Sequence, residues 1–272
     1  MGVVDSDPLS LVYSNEHSFL NRLVPRHERI NRINAALELA FDQPPPATGT
    51  LRVCLATEEE WNAFVDWDGE VVHLEYLEWF ADSGEIHIIE FVSTPHERYL
   101  GELISDQFRG RHVQKWLRSQ GAATISQGQR ASPDLSYGPY SDTSHTVLPP
   151  GVPDFDDFST IKIEIGVSQP WGMAQGQLDR KAIQVWAVMP GVEYVLCVKL
   201  DPDFENAEYK LYDVRADPLV PLNPLPIVPP RTEIHFDGRR ILGIQQAMAL
   251  PVGSPRALSV DLYTPLKRAM RS

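Results

Sequence analysis

The run Ile161-Lys162-Ile163-Glu164-Ile165-Gly166-Val167 carries the clearest chemical signal in the chain. Side chains alternate across a β-strand, so Ile161, Ile163, Ile165 and Val167 share one face while Lys162, Glu164, Gly166 and Ser168 share the other. A carboxylate and an ammonium are thus carried on a strand whose opposite face belongs in a core. That pair is either part of a site or the ordinary polar face of a half-buried strand, where charged residues commonly alternate with apolar ones. Other chemistries find less support. The eight histidines show no His-x-x-x-His spacing, so a zinc enzyme is not expected. Ser168 lacks the glycine-flanked elbow of a serine hydrolase, and no glycine-rich phosphate loop ending in Lys-Ser/Thr occurs. Cys54 and Cys197 each sit in an apolar strand-like run and read as small buried hydrophobes. Trp116, Trp171 and Trp186 read as packing residues rather than base-stacking platforms.

The elements around this strand follow from periodicity. Ile30, Ile33, Leu37 and Phe41 recur at helical spacing, which predicts an amphipathic helix over 26–41, ended by Pro44-Pro45-Pro46. Residues 51–55 read as a strand, and Thr57 with Glu60 forms a capping-box signature for a short helix. Strands over 71–79 and 85–92 make a hairpin around Asp82-Ser83-Gly84. Leu100, Leu103, Ile104, Phe108, Val113, Trp116 and Leu117 predict a helix over 96–118. Its other side, with Arg111, Lys115 and Arg118, would face phosphates or solvent. Residues 124–126 and 134–137 are short strand candidates, and 138–157 is a Gly/Pro/Ser/Asp-rich loop. A helix over 177–188 and a strand over 192–200 then complete a strand-helix-strand unit, the basis for an α/β class. A proline-rich connector spans 218–230, followed by a strand over 232–236, a helix over 241–250 and a strand over 258–262.

Composition bounds the function classes. At 272 residues with 43% apolar residues, the chain can bury a sizeable core. No run approaches the roughly 20 apolar residues of a membrane helix. The N-terminus lacks a signal-peptide pattern, so an intracellular protein, cytoplasmic or nuclear rather than secreted, is expected. The formal charge of −13 counts against an extended nucleic-acid footprint, though not against a local basic groove.

Several short motifs occur in a defined order: Thr57-Glu58-Glu59-Glu60-Trp61, Gly84-Glu85-Ile86, Ser93-Thr94-Pro95-His96-Glu97, Ser132-Pro133-Asp134-Leu135, Ile163-Glu164-Ile165-Gly166-Val167-Ser168, and Lys181 with Gly191-Val192-Glu193-Tyr194. In order and type, this set resembles the Uma-type restriction endonuclease family of the PD-(D/E)XK nuclease superfamily, over approximately residues 57–200. The resemblance implies a PD-(D/E)XK-like core over 51–204, a mixed sheet flanked by helices. A helical extension over 1–50 and a proline-rich and C-terminal extension over 205–272 lie outside the match. It implies a metal-dependent endonuclease acting on DNA, with Asp134 and Glu164 holding Mg²⁺ or Mn²⁺ and Lys181 acting on the attacking water. Hard oxygen ligands suit those ions, and an ammonium offsets developing negative charge.

The match leaves alternatives open. Pro153-Asp154 is a second Pro-Asp pair, but it sits in an acidic loop and reads as a turn initiator, so Asp134 is preferred. The superfamily's usual lysine position, two residues beyond the glutamate, is Gly166 here. Lys181 on the following helix fits the Uma-type pattern, and Lys162, on the face of Glu164, is its rival. Glu75 and His96 also match in residue type, although turn or capping roles would account for them. The rival function is a catalytically inactive binding or scaffold module of the same fold. A homodimer stays open, and no membrane partner is expected.

Overall fold

The computed structural model of the chain describes residues 26–271 except 45, 47–49, 68–73, 92, 109–110, 121–124, 127–128 and 131. The first element, α1 (Arg26–Phe41), turns Ile30, Ile33 and Leu37 to one side. That stripe packs with β1 (Leu51–Leu55), α2 (Glu58–Val65) and the hairpin β2 (Leu77–Phe80) and β3 (Glu85–Ile88) around Trp61, Phe64, Ile86 and Ile88. α2 opens on the expected capping box. Glu60 N–H donates to Thr57 Oγ1 at 3.2 Å, and Thr57 N–H donates to the Glu60 carboxylate at 2.8 Å. The hairpin strands are shorter than the sequence suggests. Leu74–Tyr76 is a 3-10 turn rather than strand, and Val71, Val72, His73 and Val92 lie outside the described residues.

The single helix expected over 96–118 is not formed. α3 (Thr94–Leu103) starts on Ser93, loosens into a π-helical turn (Ile104–Phe108), and is followed by one turn of α4 (Arg111–Gln114) and then by β4 (Leu117–Ser119). The apolar residues still meet, because Tyr99, Leu103, Phe108, Val113 and Leu117 all reach one core. The basic face is dispersed with the helix: Arg118 leaves on β4 and pairs with Asp156. The side chain of Arg111 lies outside the described residues.

After a small hairpin of β5 (Ile125–Ser126) and β6 (Gln129–Arg130), the main sheet is built from β7 (Leu135–Pro139), β8 (Ile161–Gly166), β9 (Tyr194–Leu200), β10 (Ala207–Asp213) and β11 (Leu225–Pro226), with β4 at its edge. The order is β11-β10-β9-β8-β7-β4. Neighbours are antiparallel except β8 and β9, which run parallel. A parallel pair needs a crossover. Here it is α5 (Leu178–Arg180), continued by a π-helical turn (Lys181–Trp186). β10 is absent from the sequence-based expectations, and part of the 218–230 connector joins the sheet as β11.

β12 (Glu233–Asp237) and β13 (Ala257–Asp261) pair separately, and α6 (Gly238–Ile241) and α7 (Tyr263–Ala269) complete the chain. The helix expected over 241–250 is replaced by the single turn of α6, which stops at Gly243, a left-handed residue with φ +62.

β8 is internal, and every one of its residues is buried. Ile161, Ile163 and Ile165 pack with Tyr99, Leu103, Phe236 and Leu266. The other face lies under Leu178, Ala182, Val185 and Trp186, with Val195, Cys197 and Tyr212 beside it. The protein is thus mixed α/β, a mixed sheet with helices on both faces. Cys197 is buried on this sheet, while Cys54 is partly exposed, and both are free thiols.

Candidate functional site

β7 and β8 align Leu135 with Ile163, so one step further along the antiparallel register Asp134 stands opposite Glu164. Side chains opposite one another leave the sheet on the same face. In the parallel pair Glu164 aligns with Cys197, and Cys197 aligns with Lys210 on β10. Asp134, Glu164, Cys197 and Lys210 therefore form one row across four strands, and the α5 crossover lies over it.

Each carboxylate in this row is held by named partners. Lys181 Nζ donates to Glu164 Oε2 and Trp186 Nε1 donates to Glu164 Oε1, both at 2.7 Å. Ile165 N–H donates to Asp134 Oδ2 at 2.6 Å. His96 Nε2, reaching in from α3, is 3.2 Å from Asp134 Oδ1. That approach lacks hydrogen-bond alignment, so His96 Nε2 is a buried ring nitrogen with an ion-pair contact but no aligned hydrogen bond. The N-cap role belongs to Ser93, which accepts the His96 backbone N–H.

The structure thus brings Asp134, Glu164 and Lys181 together and separates them from their rivals. Lys162 shares the face of Glu164 but points its Nζ toward Ser159 Oγ, 3.1 Å away, with the Trp186 ring centroid at 5.6 Å. Asp154 is exposed and initiates a turn, accepting the backbone N–H groups of Asp156 and Asp157 at 2.8 and 3.1 Å. Glu75 belongs to the 3-10 turn, and its side chain lies outside the described residues.

Burial sets the electrostatics. Lys162 and Glu164 are each 1% exposed and Lys181 4%. Burial pushes the Glu164 carboxyl up to about 7, with Lys181 opposing and Asp134 adding to the rise. Burial also works against the Lys181 ammonium, but the Glu164 and Asp134 carboxylates outweigh it and raise that group. For Lys162 the balance goes the other way. Burial lowers it to about 7, offset only in part by Glu164 and Asp157.

No protein-family model matches the chain, nor does any curated protein. No three His, Cys, Asp or Glu side chains converge on a common metal position among the described residues. Asp134 and Glu164 form a pair rather than a cage. A pair of hard oxygen donors fits Mg²⁺, which keeps several of its waters and uses one or two carboxylates.

Glu90 is a site neighbour that sequence reasoning missed. It follows β3 and is 3% exposed. Its carboxylate accepts the consecutive N–H groups of Val167, Ser168 and Gln169, each at 3.1 Å, and the Ser168 hydroxyl at 2.9 Å. It thereby fixes the backbone immediately beyond β8. The signal available was a lone acid inside the apolar run Ile88-Ile89-Glu90-Phe91. Trp186 was read as packing, and it is fully buried, but its indole N–H also serves Glu164.

His96 supplies a pH-dependent contribution to stability. Burial opposes its charge, yet the carboxylates of Asp134, Glu90 and Glu97 raise it from 6.5 to about 9. A raised folded-state value means that the contribution is complete below 6.5 and is lost as pH climbs to about 9. At about 1.4 kcal/mol per unit, it amounts to at most about 3 kcal/mol, because the Asp134 contact is unaligned. The stability gap between wild type and His96→Gln in urea unfolding should therefore narrow from pH 6.5 to pH 9. A gap independent of pH would show that His96 is buried neutral.

Proposed function

We propose that this chain is a metal-dependent phosphodiester hydrolase of the PD-(D/E)XK type acting on DNA, with Asp134, Glu164 and Lys181 as its site. The observation that carries the reading is the cross-strand placement of Asp134 beside Glu164, with Lys181 Nζ 2.7 Å from Glu164 Oε2. Topology supports it as well. The core is a mixed sheet flanked by helices, as the resemblance implies, and its one parallel pair, β8 and β9, is joined by the crossover that carries Lys181.

Asp134 and Glu164 would hold Mg²⁺ or Mn²⁺, which when bound polarises a phosphoryl oxygen and lowers the pKa of a coordinated water. The protein's own groups do the rest. Ile165 N–H and His96 fix the Asp134 carboxylate from two sides. Trp186 fixes Glu164, leaving the lone pairs not engaged by Trp186 and Lys181 for a further partner. Lys181 offsets part of the cost of burying the Glu164 carboxylate and would place a positive charge where phosphoryl charge develops.

A second reading, an inactive module of the same fold, is favoured by one observation. Both Glu164 oxygens already have protein donors in a site with almost no exposure. Arg118 and Arg180 are likewise engaged, by Asp156 and Glu78, so little free positive charge is offered to phosphate along these elements.

Cleavage assays separate the readings. Single-stranded, duplex and branched DNA should be cut with Mg²⁺ or Mn²⁺ and spared with EDTA. Glu164→Gln should lower the rate by about a hundredfold or more while far-UV circular dichroism stays unchanged. Folded protein that cuts none of these substrates with either metal would overturn the nuclease reading in favour of the module.

A further inference from the structure

The crossover helix is fastened to the sheet at two points, and only one of them lies in the proposed site. Two residues before Lys181, Asp179 is 2% exposed and accepts both contacts of the Lys210 ammonium, at 2.7 and 3.0 Å. The Tyr212 hydroxyl donates to the same carboxylate. Lys210 and Tyr212 leave β10 on one face, and they are 4% and 0% exposed. The Lys210 ammonium also lies 4.3 Å from the centroid of the Trp171 ring, whose indole N–H donates to Glu208 at 2.9 Å.

This second pair is in register with the first. Lys210 aligns with Cys197 and Cys197 with Glu164, so the helix crosses a single row of residues. It places a carboxylate on the row's lysine and a lysine on the row's carboxylate. The two charge pairs run in opposite senses. Sliding or rotating the helix by one residue would draw Asp179 away from Lys210 and Lys181 away from Glu164, a cost in buried charge of the kind that fixes register.

The helix itself does not fix that register. It has three α-helical residues, Leu178–Arg180, before it relaxes into the π-helical turn Lys181–Trp186. Its N-cap residue Gln177 makes no side-chain capping bond. The first turn is instead tied to the preceding loop, Leu178 N–H to Pro170 O and Arg180 N–H to Gly172 O. An irregular helix held by loop contacts needs an external reference if Lys181 and Trp186 are both to meet Glu164 at 2.7 Å.

We infer that Asp179 is a positioning residue, whose buried anchor on Lys210 and Tyr212 sets the helix register at which Lys181 and Trp186 reach Glu164. In its catalytic consequence this rests on the hydrolase reading, but the positioning itself is measurable without any turnover.

The test follows the indole N–H resonance of Trp186 in a ¹H–¹⁵N spectrum, assigned by its loss in Trp186→Phe. Asp179→Asn should displace that resonance, because a shifted helix changes its bond to Glu164, while circular dichroism shows the protein folded. Tyr212→Phe removes one hydroxyl from the anchor and should displace it less, in the same direction. It also serves as the informative variant if Asp179→Asn fails to fold. A purely stabilising pair would lower the melting temperature and leave the resonance in place well below melting. An unmoved Trp186 resonance in the folded variants would overturn the inference.

Where the wild type cleaves DNA, Asp179→Asn should lower kcat by about a hundredfold with KM little changed, since an ångström of misplacement costs about that much. Where it does not cleave, the hydrolase reading fails and the Trp186 resonance still decides the role of Asp179.

Discussion

Replacing Lys181 with methionine should cost about 3–5 kcal/mol of stability at pH 8, the range for removing one partner of a buried ion pair. The Lys181 and Glu164 side chains are 6% and 2% exposed, so neither has water to fall back on. Lys181→Met leaves Glu164 with Trp186 as its side-chain donor among the described residues and removes the ammonium that lowers it. Glu164 then rises further above its ordinary 4.5. A raised carboxyl costs stability as pH rises above the unfolded value, so the loss should be smaller at pH 5, where Glu164 can take up a proton. In Glu164→Gln/Lys181→Met no charge remains in the pair, and the amide oxygen can still accept the Trp186 N–H. That double variant should recover most of the loss, giving a coupling on the order of 2–3 kcal/mol in a double-mutant cycle. Urea unfolding of the four proteins at both pH values provides the numbers. A loss below about 1 kcal/mol for Lys181→Met at pH 8 would place the pair in the range of exposed salt bridges and contradict the burial seen here.

The strand that bears Glu164 was legible because one rule, alternation, determines it. Ile161, Ile163 and Ile165 left no other face for the core, and β8 runs from Ile161 to Gly166. The capping box at Thr57 was legible for a similar reason, since all its partners lie within four residues. What alternation could not say is that the face of Lys162 and Glu164 is buried as well, because the cover comes from Leu178, Val185 and Trp186 on a later element.

β10 escaped notice through the same circumstance. Ala207, Tyr209 and Leu211 alternate with Glu208, Lys210 and Tyr212, which looks like a strand with a wet face, yet Lys210 is buried because Asp179 waits above it. The helix expected over 96–118 shows the opposite error. Its apolar stripe was real, but spacing records which residues reach the core and not whether one straight helix carries them. At the site, the sequence offered Asp134, Glu164 and Lys181 as candidates. It did not offer Glu90, whose role depends on three backbone amides some 77 to 79 positions away.

Lys162→Met should make the protein more stable, and the gain should depend on pH in a way that identifies its cause. Lys162 is a long side chain at 1% exposure, with its ammonium near the Trp186 ring and the Ser159 hydroxyl, and burial lowers it from 10.5 to about 7. A depressed lysine is without cost to the fold only where both states are neutral, above 10.5. As pH falls from 10.5 to 7 the unfolded chain is protonated while the folded protein is not, and about 1.4 kcal/mol is lost per unit. Below 7 both states carry the proton and the penalty levels off, on the order of 5 kcal/mol. Methionine fills much of the same volume and carries no charge to desolvate. The stability advantage of Lys162→Met should accordingly be small near pH 10, grow toward pH 7 and stay flat to pH 5. Denaturant midpoints measured across that range are sufficient to follow it. A variant that is less stable than wild type at pH 6 would mean that the contacts of the Lys162 ammonium outweigh its desolvation. The polar face of β8 would then depend on Lys162 as well as on Lys181.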